Sequence, residues 1–256
     1  MNIVTTFNEW QDIRQTLIGQ SIGFVHTMGH LHQGHLSLCE RSKKENKITV
    51  ACIFVNPTQF NLTNDFQKYP RTFSNDGALL ERAAVDYLIY PNKAEVYPDH
   101  YHIQITETTL SQTLEGAHRP GHFTGMLTVV LKLLQWVRPS RAYYGEKDYQ
   151  QLLLIKKMAS ALFLQTKIVG CPTIREEDGL AYSSRNHSLT PDARLQAAHF
   201  PRLLQSALTV SEIANQLTLL GFKVDYIAEQ WQRRLGAVWL GDVRLIDNFL
   251  YNALSS

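Results

Sequence analysis

The sequence contains few cysteines, and their spacing matches no metal-binding or redox motif. Three cysteines, Cys39, Cys52 and Cys171, are scattered over 256 residues without a CxxC pair. This set favours buried, reduced thiols in a cytoplasmic protein over a disulfide framework or a zinc site. The first residues, MNIVTTFNEWQDIR, include acidic side chains early and contain no apolar core, so they predict no signal peptide.

Long runs of one charge and long apolar segments are also missing. The formal net charge is +2, charged residues make up 19% and hydrophobic residues 44% of the chain, which is typical of a globular protein. The densest basic stretch, RSKKENK, includes Glu45 and predicts a solvated helix end. The most apolar stretch, MLTVVLKLLQWV, is interrupted by Lys132 and Gln135 and is too short to cross a bilayer. We expect a cytoplasmic protein with neither a nucleic-acid nor a membrane partner.

Two common glycine-rich nucleotide motifs do not occur either. No GxGxxG follows a predicted strand, which disfavours a nicotinamide cofactor. No GxxxxGK[ST] occurs, which excludes a P-loop enzyme. A nucleotide site in this chain would need other residues.

Short apolar runs alternate with helical patterns along most of the chain. ITVACIFV is nearly continuous and rich in β-branched residues, which is typical of a parallel strand buried on both faces. SIGFVHT, VDYLIYP, RAYYGEKD and TKIVGCPTI predict further strands, with helices between them. This order predicts an α/β fold with a parallel sheet, in which ligands bind beyond the carboxyl ends of the strands.

The pattern changes in the last quarter of the chain. Thr190 or Asp192 can cap a helix that has Pro191 early and runs toward Leu208, and a second helix follows. FKVDYIAEQ and GAVWLGDVRLIDNF then predict antiparallel strands. We place a domain boundary near 187–190, which gives a domain 1–187 and a smaller α+β domain 188–256.

Four histidines, His26, His30, His32 and His35, lie in the segment FVHTMGHLHQGHLSL, where a predicted strand leads into a helix. His32 and His35 are three residues apart, so they can share one face of the first helical turn. The glycines between them let a ligand approach the backbone, and a helix N-terminus offers N–H groups to an anion. Imidazoles there can bind phosphate oxygens and stabilise charge as a phosphoanhydride breaks. The segment predicts a phosphate site; the alternative is a set of scattered surface or metal-binding histidines.

GEKDYQQ is a second polar cluster at a predicted strand end. Lys147 is a mobile point charge suited to phosphates. Asp148 could hold Lys147, a magnesium ion or a ribose hydroxyl, and the alternative is a helix cap. Gln151 is four residues after Lys147, so we expect both side chains to project to the same side.

Two further clusters follow strands. In DGLAYSSR, two hydroxyls and the Arg185 guanidinium predict a phosphate clamp, while the acidic residues 176–178 before it predict a solvated turn. In FVNPTQF, Asn56 and Gln59 suit the orientation of a small polar substrate, or are satisfied turn amides.

For two further stretches, at least part of the sequence favours a structural role over a functional one. In GAHRPGHFTG, Arg119 could be a phosphate ligand or a lid residue, and His122 is expected to cap the following helix. In QKYPRT, Tyr69 and Arg71 are interpreted as a turn before a helix.

Six ordered motifs give the chain a specific resemblance. They are TMGHLHQGHLSL, IFVNPTQF, YPRT, LEGAHRPGHFTG, VRPSRAYYGEKDYQQL and DGLAYSSRN, and RLIDN follows near the end. With these motifs the chain resembles the pantoate–β-alanine ligase family of the HxGH nucleotidyltransferase superfamily. The resemblance implies a Rossmann-like N-terminal domain, a small C-terminal lid domain that is shorter here than is usual in the family, and a homodimer.

The resemblance also implies a reaction. Such enzymes join pantoate to β-alanine with ATP as co-substrate and Mg²⁺ as cofactor, and they release AMP and pyrophosphate. Pantoate carboxylate first attacks the α-phosphorus to give pantoyl adenylate. The β-alanine amine then attacks the activated acyl carbon and expels AMP. Because a free carboxylate is a poor acyl donor, adenylation supplies the leaving group, and catalysis is mostly positioning and charge stabilisation.

Site residues follow from the same resemblance, with no metal held by the protein alone. His35, His32 and Lys147 are implied to be catalytic. Gln59 and Gln151 are implied to hold pantoate, and Gln59 also β-alanine. The implied ATP-binding residues are Met28, Gly29, His30, Leu31, His32, Gln33, Gly34, His35, Gly145, Glu146, Lys147, Asp148, Ile174, Tyr182, Ser183, Ser184 and Arg185.

Three positions depart from the family pattern. His26 replaces the usual proline, His30 replaces a small residue or asparagine, and Asn64 replaces an acidic residue. One hypothesis is that His26 and His30 add positive charge near the triphosphate at mildly acid pH. Two rival functions remain at this point: an enzyme that adenylates a phosphorylated acceptor, and a nucleotide-binding protein without catalysis.

Overall fold

The computed structural model describes residues 1–60 and 63–251, and the side chains of 63–65, including Asn64, lie outside the described residues. The chain forms two compact units. The first contains residues 1–146 and 150–171, and the second contains 147–149 together with the chain from Pro172 onward. The second unit therefore begins earlier than the boundary at 187/188 expected from the sequence, because Leu180 packs into its core and Arg175 pairs with Asp247.

The first unit alternates strands and helices. Its strands are β1 (Asn2–Val4), β2 (Ile22–Thr27), β3 (Ile48–Ile53), β4 (Tyr87–Ile89), β5 (Arg141–Gly145) and β6 (Lys167–Cys171). Its helices are α1 (Phe7–Thr16), α2 (Gln33–Glu45), α3 (Thr63–Lys68), α4 (Phe73–Arg82), α5 (Lys93–Val96), α6 (Glu115–His118), α7 (His122–Val137) and α8 (Tyr149–Ala161). Short 3-10 helices span Pro57–Gln59 and Leu110–Gln112, and a third, Glu146–Asp148, contains residues of both units.

The strands of this unit form one parallel six-stranded sheet in the order β1-β4-β3-β2-β5-β6. From β2 the chain proceeds to β3 on one side, while β5 and β6 lie on the other side. The order therefore reverses between β2 and β5, and a crevice outside the carboxyl ends of such strands is where ligands bind in open α/β sheets. The histidine segment follows β2, and Gly145 ends β5, so both adjoin this switch point.

The α/β fold predicted from the sequence is confirmed, and its core explains why. Apolar side chains of β2 and β3 are almost fully buried, as expected for strands covered on both faces. Helix α2 buries Leu38 and Cys39 against them. Within the described chain, no helix is both long and apolar enough to cross a bilayer.

The second unit is helical and then antiparallel. It contains a 3-10 helix (Asn186–Ser188), α9 (Pro191–Ala197), α10 (His199–Leu204), α11 (Val210–Leu219), β7 (Lys223–Gln230), β8 (Arg233–Leu240) and β9 (Val243–Leu250). The strands form an antiparallel sheet in the order β7-β8-β9. Phe200, Ile213 and Leu217 pack on it and are fully buried.

The sequence predicted a single helix toward Leu208, and this prediction is wrong because the segment forms two helices. Thr190 caps its start, because its side chain accepts a hydrogen bond from the Ala193 N–H. The helix then divides into α9 and α10, and Pro201 lies in the first turn of α10. Proline has no N–H to donate to the preceding turn, so it fits the start of a new helix better than the interior of one long helix.

Candidate active site

The loop between β2 and α2 is held by a buried carboxylate. Gly29 and His30 both adopt left-handed backbone conformations, with φ of 83° and 50°. The backbone N–H of His30 donates to Asp76 Oδ2 at 2.9 Å, and that of Leu31 donates to Asp76 Oδ1 at 2.8 Å. Asp76, in the first turn of α4, is 1% exposed and also accepts from the Thr72 hydroxyl. Asp76 thus fixes the backbone that leads into His32, although no motif in the sequence marks this residue.

His32 and His35 close the N-terminus of α2 as a reciprocal cap. The Gly34 N–H donates to His32 Nδ1 at 3.1 Å, and the His32 N–H donates to His35 Nδ1 at 3.4 Å. The two rings lie one over the other, with centroids 4.0 Å apart. Since each Nδ1 accepts a hydrogen bond, each neutral ring carries its proton on Nε2. The structure therefore brings together two Nε2–H donors at a helix N-terminus.

Gln59 is fixed within a buried polar frame. Its Oε1 accepts from Asn56 Nδ2 at 3.0 Å, and its Nε2 lies 3.1 Å from the Met28 sulfur. Asn56 is fully buried, and its Oδ1 accepts from the Tyr97 hydroxyl at 2.8 Å. Gly125 of α7 lets that helix approach the 3-10 helix Pro57–Gln59, because a Cβ at position 125 would lie 2.2 Å from the Thr58 carbonyl oxygen. Asn56 acts here as a support that orients Gln59.

His122 is not the cap expected from the sequence. Gly121 occupies the N-cap position of α7, and His122 lies in the first turn, 6% exposed. Arg119 Nη1 lies 3.1 Å from His122 Nε2, so Nε2 accepts and the Nδ1–H donates to the Gln59 carbonyl oxygen at 2.9 Å. His122 therefore fixes the backbone of Gln59.

Arg71 lies in the turn that the sequence predicted before a helix, and its guanidinium donates to backbone carbonyls of Phe66, Gln67 and Tyr69.

A cavity of about 540 Å³ opens at the carboxyl edge of the sheet in the first unit. Its lining comes from the loops after β2, β3 and β4, and includes Met28, Gly29 and Asp76. The Gln59 amide contacts Met28 as well, so Met28 connects the cavity to the polar frame. Gln151 lies half-buried in the first turn of α8, and among the described residues no hydrogen bond joins it to Gln59.

In the second unit, Lys147 belongs to the 3-10 helix Glu146–Asp148, and its Nζ lies 3.6 Å from Asp148 Oδ2. Its backbone carbonyl accepts a hydrogen bond from Asn248 Nδ2 at 2.9 Å. Because Lys147 is not in the α-helix that contains Gln151, the α-helical spacing used to predict that both side chains project to one side does not apply.

Ile174 and the 182–185 segment also lie in the second unit. The Tyr182 N–H donates to the Ile174 carbonyl at 3.0 Å, and the Arg185 N–H donates to Ser183 Oγ at 3.2 Å. The sequence predicted a solvated turn for the acidic residues before this segment. That prediction is wrong for Glu176 and Asp178, because both pair with Arg194. Ion pairs thus connect residues 176–178 to α9.

Comparison with known proteins decides the family. A family model described as pantoate-beta-alanine ligase matches residues 2–250. The chain belongs to the pantoate–β-alanine ligase family. It is 51% identical to the pantothenate synthetase of Coxiella burnetii (strain Dugway 5J108-111), covering 96% of this chain and 95% of that protein. It is 51% identical to the pantothenate synthetase of Legionella pneumophila (strain Philadelphia 1), covering 98% of this chain and 100% of that protein.

Solved structures agree with the family and the fold. The pantoate-beta-alanine ligase of Francisella tularensis, complexed with beta-gamma ATP and beta-alanine, superposes with a TM-score of 0.94 at 44% identity over 98% of this chain and 97% of that chain. The pantothenate synthetase of Thermus thermophilus gives a TM-score of 0.90 at 40% identity over 98% and 100%. The matches span the full length of the Legionella and Thermus proteins.

His26 does not carry charge at mildly acid pH. Its Nε2 is inaccessible to solvent and has no hydrogen-bond partner among the described residues. Burial lowers the pKa of His26 from 6.5 to about 4. The hypothesis of added positive charge is therefore wrong for His26, and it stays a hypothesis for His30.

The half-buried ring of His26, with its Nε2 inaccessible to solvent, predicts a pH-dependent stability. The unfolded chain protonates His26 near pH 6.5, whereas the folded protein does so only near pH 4. Between these values the unfolded chain binds more protons, so stability that is fully present above pH 6.5 is lost as the pH falls to about 4. The loss attributable to His26 is up to about 3 kcal/mol.

Urea denaturation from pH 7 to pH 4 checks this prediction on the unmodified protein and on His26→Gln. We expect the free energy of unfolding of the unmodified protein to fall more steeply with decreasing pH. Parallel curves for the two proteins would show that His26 protonates equally easily in both states.

Proposed function

We propose that this protein condenses pantoate with β-alanine to pantothenate through a pantoyl-adenylate intermediate, using ATP and releasing AMP and pyrophosphate. The observation that carries the proposal is the reciprocal cap of His32 and His35 at the switch point of the sheet, in a chain that belongs to the pantoate–β-alanine ligase family.

The first step needs charge stabilisation on the phosphates. The N-terminus of α2 carries a partial positive charge and has no acidic residue in its first turn, so it suits an anion. We assign the segment from Met28 to His35 to ATP, with the Nε2–H groups of His32 and His35 donating to phosphate oxygens. Those donors stabilise the negative charge that develops as the pyrophosphate leaves the α-phosphorus.

A second set of groups is proposed for the same nucleotide. Lys147 brings a positive charge to the phosphates, with Gly145, Glu146 and Asp148 beside it, and Ile174 contacts the nucleotide through its backbone. The segment from Tyr182 to Arg185 combines hydroxyls with a guanidinium, which matches the geometry of phosphate oxygens.

Pantoate is proposed to bind through the neutral amides of Gln59 and Gln151. The Asn56 and His122 contacts hold Gln59 in one orientation before any substrate arrives. We propose that this preorganisation orients the pantoate carboxylate for in-line attack on the α-phosphorus. Gln59 also receives β-alanine, whose amine attacks the acyl carbon of pantoyl adenylate; the C–O bond to phosphate breaks and AMP leaves with the electron pair.

Magnesium is proposed to arrive with the triphosphate. No group of three histidine, cysteine, aspartate or glutamate side chains in residues 1–60 and 63–251 is arranged to hold a metal by itself. Mg²⁺ commonly binds one or two carboxylates together with substrate phosphates, and Asp148, with its side chain 46% exposed, offers one carboxylate. When bound, the ion neutralises charge on the phosphate oxygens. We further propose a homodimer in the cytoplasm, as the family resemblance implies.

One assay distinguishes the adenylation of pantoate from the condensation with β-alanine. Pyrophosphate release is measured from ATP and Mg²⁺ with no acceptor, with pantoate, and with pantoate plus β-alanine. We expect release to require pantoate, and added β-alanine to give continuous turnover with one AMP and one pantothenate per pyrophosphate.

The same assay tests the rival functions. An enzyme that adenylates a phosphorylated acceptor would keep AMP in its product and would not respond to β-alanine. A nucleotide-binding protein without catalysis would bind ATP and release no pyrophosphate. The neutral glutamines proposed for the acceptor disfavour the first rival, because an acceptor phosphate calls for basic side chains.

A further inference from the structure

We propose that Asn248 of β9 is a positioning residue for Lys147, holding its backbone where the ammonium group meets the ATP phosphates. The inference rests on the proposed role of Lys147 in ATP binding, and it goes beyond that role by naming the residue that holds the lysine in place.

A direct hydrogen bond connects the two residues. Asn248 is 3% exposed, and its Nδ2 donates to the Lys147 carbonyl oxygen at 2.9 Å. Lys147 lies in a short 3-10 helix, which has few backbone hydrogen bonds of its own. A lysine side chain has four flexible bonds, so its reach is useful only if its backbone is fixed.

The side chain of Asn248 is itself held in a defined orientation. Its Oδ1 accepts a hydrogen bond from Arg233 Nη1 at 2.7 Å. The same guanidinium lies over the Tyr149 ring, with its central carbon 4.2 Å from the ring centroid. Arg233 thus assigns the amide orientation, with oxygen toward Arg233 and nitrogen toward Lys147, and it contacts Tyr149 at the end of the same short segment.

The backbone of Asn248 is fixed by the ion pair between Arg175 and Asp247. The Arg175 guanidinium binds both oxygens of Asp247, at 2.7 and 3.0 Å, and donates to the Asn248 carbonyl at 3.3 Å. The Asn248 N–H donates to Asp247 Oδ1 at 2.7 Å. Asp247 is 3% exposed, so the carboxylate of this bidentate pair is shielded from water.

These contacts place the support in the most regular part of the second unit. Asn248 pairs with Leu235 of β8 in the antiparallel ladder. A side chain on a paired strand moves less than one on a loop, which makes it a suitable support for a lysine on a short segment. The geometry explains why residues 147–149 belong to the second unit.

A double-mutant cycle tests the inference on the full-length enzyme. Lys147→Ala, Asn248→Ala and the double variant are compared for the ATP Michaelis constant and the rate of pantoate-dependent pyrophosphate release. We expect Asn248→Ala to reduce kcat/KM for ATP about tenfold, the effect of one well-placed hydrogen bond. In the Lys147→Ala background the same change should cost less than about twofold, because it acts through the lysine.

Arg244→Met is the matched control. Arg244 lies on the same strand, is 7% exposed and pairs with Asp225 at 2.7 Å. Arg244→Met should lower the melting temperature at least as much as Asn248→Ala does. It should leave kcat/KM for ATP within about twofold of the unmodified enzyme, since neither Arg244 nor Asp225 is assigned to the nucleotide.

The outcomes are distinguishable. If Lys147→Ala leaves ATP kinetics unchanged, the proposed role of Lys147 fails and the inference fails with it. If Lys147→Ala is severe but Asn248→Ala changes only the melting temperature, the inference alone is overturned. Additive effects in the double variant would also overturn it, because they would mean that Asn248 acts independently of the lysine.

Discussion

Replacing His35 by asparagine will slow pantoyl-adenylate formation by at least about 100-fold, the usual cost of removing one preorganised donor from a developing negative charge. Asparagine places its Oδ1 near the position of the imidazole Nδ1, so it can still accept the His32 N–H that His35 accepts at 3.4 Å. It has no atom at the position of Nε2. The substitution therefore removes the proposed phosphate donor and retains the helix cap.

His35→Gln is the complementary variant. Its amide nitrogen reaches toward the position of Nε2 but no longer accepts the His32 N–H, so we expect part of the adenylation rate to survive at a lower melting temperature. Single-turnover pyrophosphate release with pantoate and ATP measures the step directly. Equal rates for His35→Asn and the unmodified enzyme, at unchanged melting temperature, would restrict His35 to a structural role as a cap.

The elements that the sequence predicted well are those determined by local patterns. ITVACIFV became β3 and HFTGMLTVVLKLLQWV became α7 because the length and the residue types of an apolar run decide both the element and its burial. The position of His32 and His35 at a strand-to-helix junction was predictable for the same reason, since a glycine-containing turn directly follows a buried strand. The confirmed α/β fold then predicts on which edge of the sheet a ligand binds.

The supports of the site could not be predicted, because each is a contact between residues far apart in the chain. Asp76 holds amides 45 and 46 positions earlier, and Asn248 holds a carbonyl 101 positions earlier. Nothing in the spacing around Asp76 marks it, and the RLIDN motif that ends at Asn248 does not show which residue Asn248 contacts. His122 was misjudged for the same reason: a helix start suggests a cap, and only the folded chain brings the Gln59 carbonyl within 2.9 Å of its ring.

Asp76→Asn will disable the loop between β2 and α2 without replacing any residue that is assigned to ATP, pantoate or β-alanine. The carboxylate accepts two successive backbone N–H groups, whereas an asparagine offers one oxygen and turns an N–H₂ group toward the other donor. One buried N–H then lacks an acceptor, which costs about 1–3 kcal/mol of stability. Because His30 is left-handed, with φ of 50°, its unfavourable conformation persists only while the surroundings hold it.

The expected effect on catalysis exceeds the effect on stability. Release of the loop moves His32 and the N-terminus of α2 relative to the phosphates, and a misplacement of about 1 Å can cost about 100-fold in rate. Asp86→Asn is the matched control, because Asp86 also accepts a backbone N–H, that of Thr49 at 2.8 Å, outside this loop. We expect that variant to lose some stability in urea denaturation and to retain pyrophosphate release within about twofold. If Asp76→Asn behaves like Asp86→Asn in both measurements, then the loop keeps its conformation without the carboxylate, and the left-handed turn at Gly29 and His30 is determined by local sequence.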